Sequence, residues 1–398
     1  MDLPANLLSN YSLFEEKRVK DRFFKHSLLI DLLKLLNNNF STKEVGQSSL
    51  GRTINLVKWG NGPTKIFLWS QMHGDEATAT MALFDLMNFL SLKSEFNEIN
   101  DLLASKCTLY ILPMLNPDGA ELFTRRNAMG IDINRDYQKQ QSVEAQLLRQ
   151  LRNKINPDFG FNLHDQSTLW SAANSANPAT ISLLAPAYDQ GLSVNSVRKK
   201  AMQVISLINK DIQHDIPDHI ARFDDEYEPR AFGDNFQAEG TSTILIEAGG
   251  FKNDLEKQFI RKVYFKSILS GLITIAKESF KDEDLENYYS IPENKKLHFH
   301  ILLRNCQLQK YGIRYSVDIG LNAEEKLNND LISVAYNYVL SDLGDLSHHF
   351  GYTELNCDDL TIIETKELKL EESVDLIVKD GINILLTIEN GRLTNINE

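Results

Sequence analysis

The chain has 398 residues, is 42% hydrophobic and 24% charged, and so has the profile of a folded protein with one large domain and an addition, or with two domains, not of a disordered chain. Its formal net charge of −13 argues against nucleic acid or an anionic membrane as a main partner. Cys107, Cys306 and Cys357 are too few and too scattered for a disulfide framework, which fits a reducing compartment. The amino terminus lacks the basic start and apolar core of a signal peptide, and no apolar run is long enough to span a bilayer, so a cytoplasmic location is expected.

In chain order, Tyr11 to Leu36 reads as a helix closed by Asn37-Asn38-Asn39. Arg52 to Trp59 and Lys65 to Ser70 read as strands, and the turn at Gly60-Asn61-Gly62-Pro63 suggests that they form a hairpin. After Ser70 comes Gln71-Met72-His73-Gly74-Asp75-Glu76, and then the helical spacing of Met81, Phe84, Met87 and Leu90. This places His73 at a strand's carboxyl end and Glu76 at a helix start, in the crevice where open α/β sheets bind ligands. An imidazole and a carboxylate could hold two positions around zinc. The pair alone is weak, because about one His-x-x-Glu arises by chance in such a chain, and a helix-start Glu also suits the macrodipole.

Cys107 to Leu115 reads as a second buried strand, ending in the turn Asn116-Pro117-Asp118-Gly119. The polar stretch Thr124 to Asp136 holds three arginines and two asparagines, either as a solvated loop or as a carboxylate-binding surface. Val143 to Ile155 is an amphipathic helix, and Phe159 to Leu163 a strand that delivers His164 to another carboxyl end. Ile181 to Ala185 reads as a strand, Ser193 to Gln213 as a helix, and Ala221 to Gln237 as a long charged and aromatic loop. Thr243 to Ile246 brings Glu247 to a third strand end, where a carboxylate needs a partner, and Leu255 to Phe280 is a helix.

These elements predict an α/β fold: a mixed, mostly parallel central sheet flanked by helices over residues 1–285. An acidic segment from Lys281 to Lys296 then marks a boundary. The alternation of Leu297, Phe299, Ile301 and Leu303, of Ile313 to Ile319, and of Val374 to Val378 predicts a small β-rich, sandwich-like domain over 295–398. Its histidines, His298 and His300 among them, read as solvated or partly buried.

The ordered set His73-x-x-Glu76, Asn116-Pro117-Asp118-Gly119, Gly130-Ile131-Asp132-Ile133-Asn134-Arg135, His164 and Glu247 resembles the zinc carboxypeptidase family, the relatives of carboxypeptidase A. The resemblance runs from Val45-Gly46-Gln47-Ser48 and Gly51-Arg52 to Gly250. It implies one zinc ion per chain held by His73, Glu76 and His164, with the fourth position open for water. It implies Glu247 as general base and acid, and Asp132 as the carboxylate that orients His73. Asn134 and Arg135 match the pair that holds a substrate's terminal carboxylate. One of Arg125 and Arg126 matches the oxyanion-stabilising arginine, and Tyr227 the mobile tyrosine that closes over substrate. Arg230, with Asp224, Asp225, Glu226 and Asp234, lies in the loop expected to line the specificity pocket.

The implied function is a metallocarboxypeptidase acting on short peptides or peptide-like molecules, cell-wall-derived ones included. Two alternatives stand beside it: a zinc-dependent deacylase of N-acyl amino acids on the same fold, and a catalytically silent binding module. Departures from the digestive members occur at Asp165-Gln166, after the third ligand, and beyond Phe280, where the resemblance ends.

Overall fold

The computed structural model describes residues 6–328 and 333–396, and it divides into two compact units. The first comprises Met1–Thr168 and Ala179–Asn294; the second comprises Leu169–Pro178 and Lys295–Glu398.

The first unit is built on strands β1 (Phe40–Gln47), β2 (Thr53–Trp59), β3 (Thr64–Ser70), β4 (Cys107–Leu112) and β5 (Phe159–Asp165). After β6 (Trp170–Ala172), which belongs to the second unit, come β7 (Ile181–Leu184), β8 (Ile220–Arg222) and β9 (Ser242–Ala248). Eight of them form one mixed sheet in the order β1-β2-β4-β3-β5-β9-β7-β8, with β4, β3, β5 and β9 parallel at its centre. The helices are α1 (His26–Leu33), α2 (Thr78–Ser91), α3 (Asn97–Lys106), α4 (Pro117–Leu122), α5 (Val143–Ile155), α6 (Ser196–Ile212), α7 (Phe232–Ala238), α8 (Gln258–Lys277) and α9 (Glu286–Tyr289). One core, containing Leu83, Met87, Val204, Ile208, Ile268 and Leu272, packs α2, α6 and α8 on one face of the sheet. A second, with Phe67, Trp69, Leu148, Phe232 and Phe236, packs α5 and α7 on the other. Ile66 to Trp69 are all buried, as a central strand covered on both faces requires. Among the described residues, no helix is long and apolar enough to cross a membrane.

Three expectations are corrected. The helix expected over Tyr11–Leu36 is reduced to a 3-10 turn at Tyr11–Leu13 and to α1. Between them Phe14, Val19 and Phe24 are buried, but the backbone bonds outward instead of along a helix. The Glu16 N–H donates to Asp85 (2.7 Å), while the Arg261 guanidinium donates to the carbonyls of Glu16 (3.1 Å) and Val19 (2.8 Å). Tertiary partners thus replace the intrahelical ladder.

The hairpin expected between β2 and β3 does not form, because β4 lies between them. β2 pairs instead with the unforeseen edge strand β1, whose polar sequence is largely exposed. The Gly60-Asn61-Gly62 turn presses on the junction of α3 and β4: Asn61 N–H donates to Ala104 O, Gly62 N–H to Cys107 O, and a Cβ on Gly62 would lie 2.0 Å from Lys106. It therefore carries the chain over the start of β4 rather than closing a two-strand turn. Lastly, the segment expected as a loop over Ala221–Gln237 contains α7, in which Phe232 and Phe236 share a face four residues apart against Tyr137 and Trp69.

The second unit is rich in β-structure. β6 pairs with β10 (Asn294–Lys296) at its start. Strands β11 (His298–Lys310), β12 (Ile313–Leu327), β13 (Val334–Gly344) and β14 (Phe350–Asn356) form a sheet ordered β13-β12-β11-β14. Strands β15 (Thr361–Glu364), β16 (Leu376–Asp380), β17 (Asn383–Glu389) and β18 (Arg392–Ile396) form another in sequence order. Ile301, Leu303, Ile319 and Leu340 of one sheet share a core with Leu376, Val378, Leu386 and Ile388 of the other. The β17–β18 turn at Asn390-Gly391 has positive φ at both residues, 51° and 73°, as a tight hairpin turn demands.

His298, expected to be solvated or partly buried, is instead buried and bonded to Ser171 and Ala176. His300 accepts a hydrogen bond at Nδ1 from the Ala323 N–H (3.0 Å), which a neutral ring alone can do. Burial lowers its pKa from 6.5 to about 4. The unfolded chain then takes up a proton below pH 6.5 that the folded ring refuses until about pH 4. Stability is therefore expected to fall with falling pH across that window, by roughly 3 kcal/mol in all. Following the His300 ring resonances by NMR tests this: a midpoint near 6.5 in the folded protein would refute it.

Candidate metal centre

The candidate site lies at the carboxyl ends of β3, β5 and β9. β3 ends at Ser70, and Gln71 turns the chain out of the sheet with φ 48°, a conformation that non-glycine side chains rarely adopt. Its amide is held between the Gly74 carbonyl and the Thr80 hydroxyl. Asn116 N–H donates to the Gln71 carbonyl, and the Asn116 side chain caps α4 through Gly119 N–H. Gly74 lies so close to α4 that a Cβ would sit 2.0 Å from the Gly119 backbone. Two motifs separated in sequence, His-Gly-Asp-Glu and Asn-Pro-Asp-Gly, are thus halves of one packed junction. Asp118, whose role the sequence did not reveal, accepts from Ser48 Oγ (2.8 Å), Leu50 N–H (2.9 Å) and Arg52 (2.6 Å), which fastens the β1–β2 turn to the same junction.

His73, Glu76 and His164 converge. Their potential ligand atoms all lie within 4.8 Å of one another, and all three side chains are buried. His73 Nδ1 is 2.7 Å from Glu76 Oε1, and His164 Nδ1 is 2.7 Å from Glu76 Oε2. His73 Nε2 bonds to Asp132 Oδ1 (3.1 Å), which turns Nδ1 toward Glu76. Glu76 itself precedes α2 by two residues and is placed by a turn in which its N–H donates to the His73 carbonyl (3.2 Å).

Arg125 and Arg126 separate cleanly. Arg125 bonds to Asp132 through Nε (3.0 Å), and its Nη1 lies 3.3 Å from Glu76 Oε1. Arg126 points away and donates to the Gly130 carbonyl. His164 and Glu247 are register partners on β5 and β9, so their side chains leave the same face of the sheet side by side. Beneath them the Tyr264 hydroxyl donates to the Ile246 carbonyl (2.6 Å) and ties the strand ends to α8.

The electrostatics of these residues follow from burial and neighbours. Burial pushes the Glu247 carboxyl well above the usual range, and the charges of Glu76 and Asp165 add to this against partial relief from Arg125 and Lys257. Burial alone would raise Glu76 too, but the two histidines outweigh it and hold it well below. Asp132 is likewise held below the usual range, where burial is overcome by His73 and Arg125. Asp75, buried beside Glu76, is pushed up to about 6. Asp165, one of the unusual pair after His164, is partnered by a lysine that the sequence did not single out. Lys257 Nζ lies 3.1 Å from Asp165 and 3.0 Å from the Ala248 carbonyl, itself buried with its backbone at φ 51°.

The donor set suits zinc: two imidazole nitrogens and one carboxylate, gathered at one point with second bonds that fix His73. Four buried atoms of these residues, Asp75 Oδ1, His164 Nε2, Asp165 Oδ1 and Glu247 Oε2, have no hydrogen-bond partner among the described residues.

Farther out, the Asn134 side chain accepts from the Phe232 N–H (3.0 Å), and Arg135 pairs with Glu228 (3.2 Å). Arg230 is exposed and grips the same Glu228. Three other acids of this loop bond within the protein: Asp224 accepts from the Glu226 N–H, Asp225 pairs with the buried Arg198, and Asp234 accepts from the Glu228 N–H. Tyr227 is half-buried and has no hydrogen bond to the His73–Glu76–His164 cluster among the described residues.

The family model described as zinc carboxypeptidase matches residues 26–191. The match bears out the resemblance read from the motifs over those residues, and the first unit shares its fold with metallocarboxypeptidases of known structure. Among curated proteins, carboxypeptidase SOL1 of Arabidopsis thaliana is 33% identical over 69 residues, which are 17% of this chain and 14% of that protein. The chain thus spans about a seventh of that relative's length. A metallo-carboxypeptidase from Burkholderia cenocepacia shares the fold at a TM-score of 0.50 and 17% identity, covering 64% of this chain and 68% of that one. Bovine thrombin-activatable fibrinolysis inhibitor, solved in complex with tick carboxypeptidase inhibitor, does so at a TM-score of 0.51 and 12% identity, covering 65% and 98%.

Proposed function

We propose that this chain is a cytoplasmic zinc-dependent metallocarboxypeptidase, which releases the last residue of short peptides by hydrolysing its amide bond. The observation that carries this reading is the convergence of His73 and His164 Nδ1 on the two oxygens of Glu76, with Glu247 beside His164 on the neighbouring strand. The three free, buried cysteines accord with a reducing compartment.

His73, Glu76 and His164 would hold the zinc, which when bound supplies a Lewis acid for the scissile carbonyl and acidifies water. Glu247 takes the proton from the attacking water and passes it to the leaving nitrogen. Arg125, and not Arg126, offsets the negative charge that grows on the carbonyl oxygen. Asn134 and Arg135 receive the terminal carboxylate, which limits cleavage to the chain end. Asp132 fixes the His73 ring. Asp132→Ala is therefore expected to weaken zinc binding by about 10- to 100-fold, measured by competition with a chromophoric chelator.

The deciding experiment incubates the zinc-loaded protein with peptides bearing free or amidated ends and with small N-acyl amino acids. Release of one terminal residue from the free-ended peptides alone supports the reading. Cleavage restricted to N-acyl amino acids would make the protein a deacylase instead. Less than a tenth of an equivalent of zinc after metal-replete purification, with no hydrolysis, would make it a silent binding module.

A further inference from the structure

Arg135 and Arg230 both meet one carboxylate, that of Glu228. Arg230 grips it at both oxygens, Nε to Oε1 at 2.9 Å and Nη2 to Oε2 at 2.6 Å, and its backbone N–H adds a bond to Oε1 at 3.0 Å. Arg135 reaches Oε2 through Nε at 3.2 Å. The segments that carry these groups are fastened together: Phe232 N–H donates to Asn134 Oδ1 (3.0 Å), and Tyr137 N–H to the Arg230 carbonyl (3.1 Å). Glu228 is anchored in turn by its own N–H, which donates to Asp234 Oδ1 (3.0 Å). A carboxylate already sits on the guanidinium expected to receive one.

Building on the carboxypeptidase reading, we propose that Glu228 is a specificity-determining residue whose carboxylate stands at Arg135 in place of a peptide's terminal carboxylate, so that a ligand binds by replacing it. The two ties differ in kind, and this decides which one breaks. Arg230 lies two residues from Glu228 and holds both oxygens with paired bonds, whereas Arg135 makes one longer contact. The incoming carboxylate takes Arg135, and Glu228 stays with Arg230. Arg230, expected from the sequence to bind substrate, here holds the competitor. A neutral chain end has no carboxylate to place on Arg135, so Glu228 weakens the binding of free carboxylates alone and lowers the preference for them over neutral ends. The displaced contact is partly exposed, with Arg135 at 38% and Glu228 at 25%, so replacing it weakens binding by roughly fivefold.

The test uses the zinc-loaded full chain with Glu228→Gln, Glu228→Ala and Arg135→Ala. KM and kcat are measured on one free-ended peptide, and Kd for N-acetylphenylalanine and for its amide is measured by calorimetry. Both Glu228 variants are expected to lower KM for the free-ended peptide and Kd for N-acetylphenylalanine by roughly fivefold, more than they change kcat. They should leave Kd for the amide where it was, and in an Arg135→Ala background the gain should vanish. Unchanged or weaker carboxylate binding in both Glu228 variants overturns the proposal, as does a failure of N-acetylphenylalanine to bind any form. If no peptide is cleaved, the hydrolase reading fails on its own, and the Kd comparison still decides the role of Glu228.

Discussion

Glu247→Gln is expected to lower the rate of terminal-residue release by about 10²- to 10⁴-fold, the usual contribution of a positioned general base. The substitution keeps the side chain's size and removes its ability to take a proton. Glu247 is buried at the end of β9, with Oε2 unpartnered among the described residues. Glu76 is committed to both histidines, and Asp165 to Lys257 and Thr78. Zinc content should stay at one equivalent, because Glu247 is not one of the three converging donors. Peptide hydrolysis and elemental analysis on the same preparations separate the two effects. Activity within threefold of the parent would remove Glu247 from the chemistry, and a parallel loss of zinc would reassign it to the metal.

The second large effect concerns stability. Asp85 and Arg261 form an ion pair in which both side chains are fully buried, with Nε to Oδ2 at 2.7 Å and Nη2 to Oδ1 at 2.5 Å. The pair also organises the amino-terminal segment: Asp85 accepts from the Tyr11 hydroxyl and the Glu16 N–H, and Arg261 donates to the carbonyls of Glu16 and Val19. Asp85→Ala leaves the guanidinium buried without its counter-charge and orphans two donors, a change expected to cost about 3–5 kcal/mol. Urea unfolding should show the loss, and limited proteolysis should find residues 14–25 among the first sites cut. A loss below about 1 kcal/mol would mean that water or a shifted side chain replaces the carboxylate.

The correct and incorrect readings of the sequence divide along a physical line. α5 is legible at its true bounds, because Leu148, Leu151 and Ile155 repeat on one face and Pro157 follows the end. The strand ends bearing His73, His164 and Glu247 were equally legible, since a buried apolar run that stops at a polar residue is a local pattern. The amino-terminal helix and the β2–β3 hairpin were misread because their local signals are real but weaker than distant partners: the Asp85–Arg261 pair in one case, the insertion of β4 in the other.

By itself, then, the sequence determined most of the central strands and helices and the set of residues that could bind a metal, His73, Glu76 and His164. Only the tertiary structure decided how they are used. It set Arg125, and not Arg126, beside Asp132 and Glu76, joined Asp118 to the β1–β2 turn, paired Asp165 with Lys257, and set Glu228 on Arg135. Hydrophobic period and turn chemistry act over a few neighbouring residues and are written locally. A buried charge finds its partner across tens or hundreds of residues, and only the folded chain brings the two together.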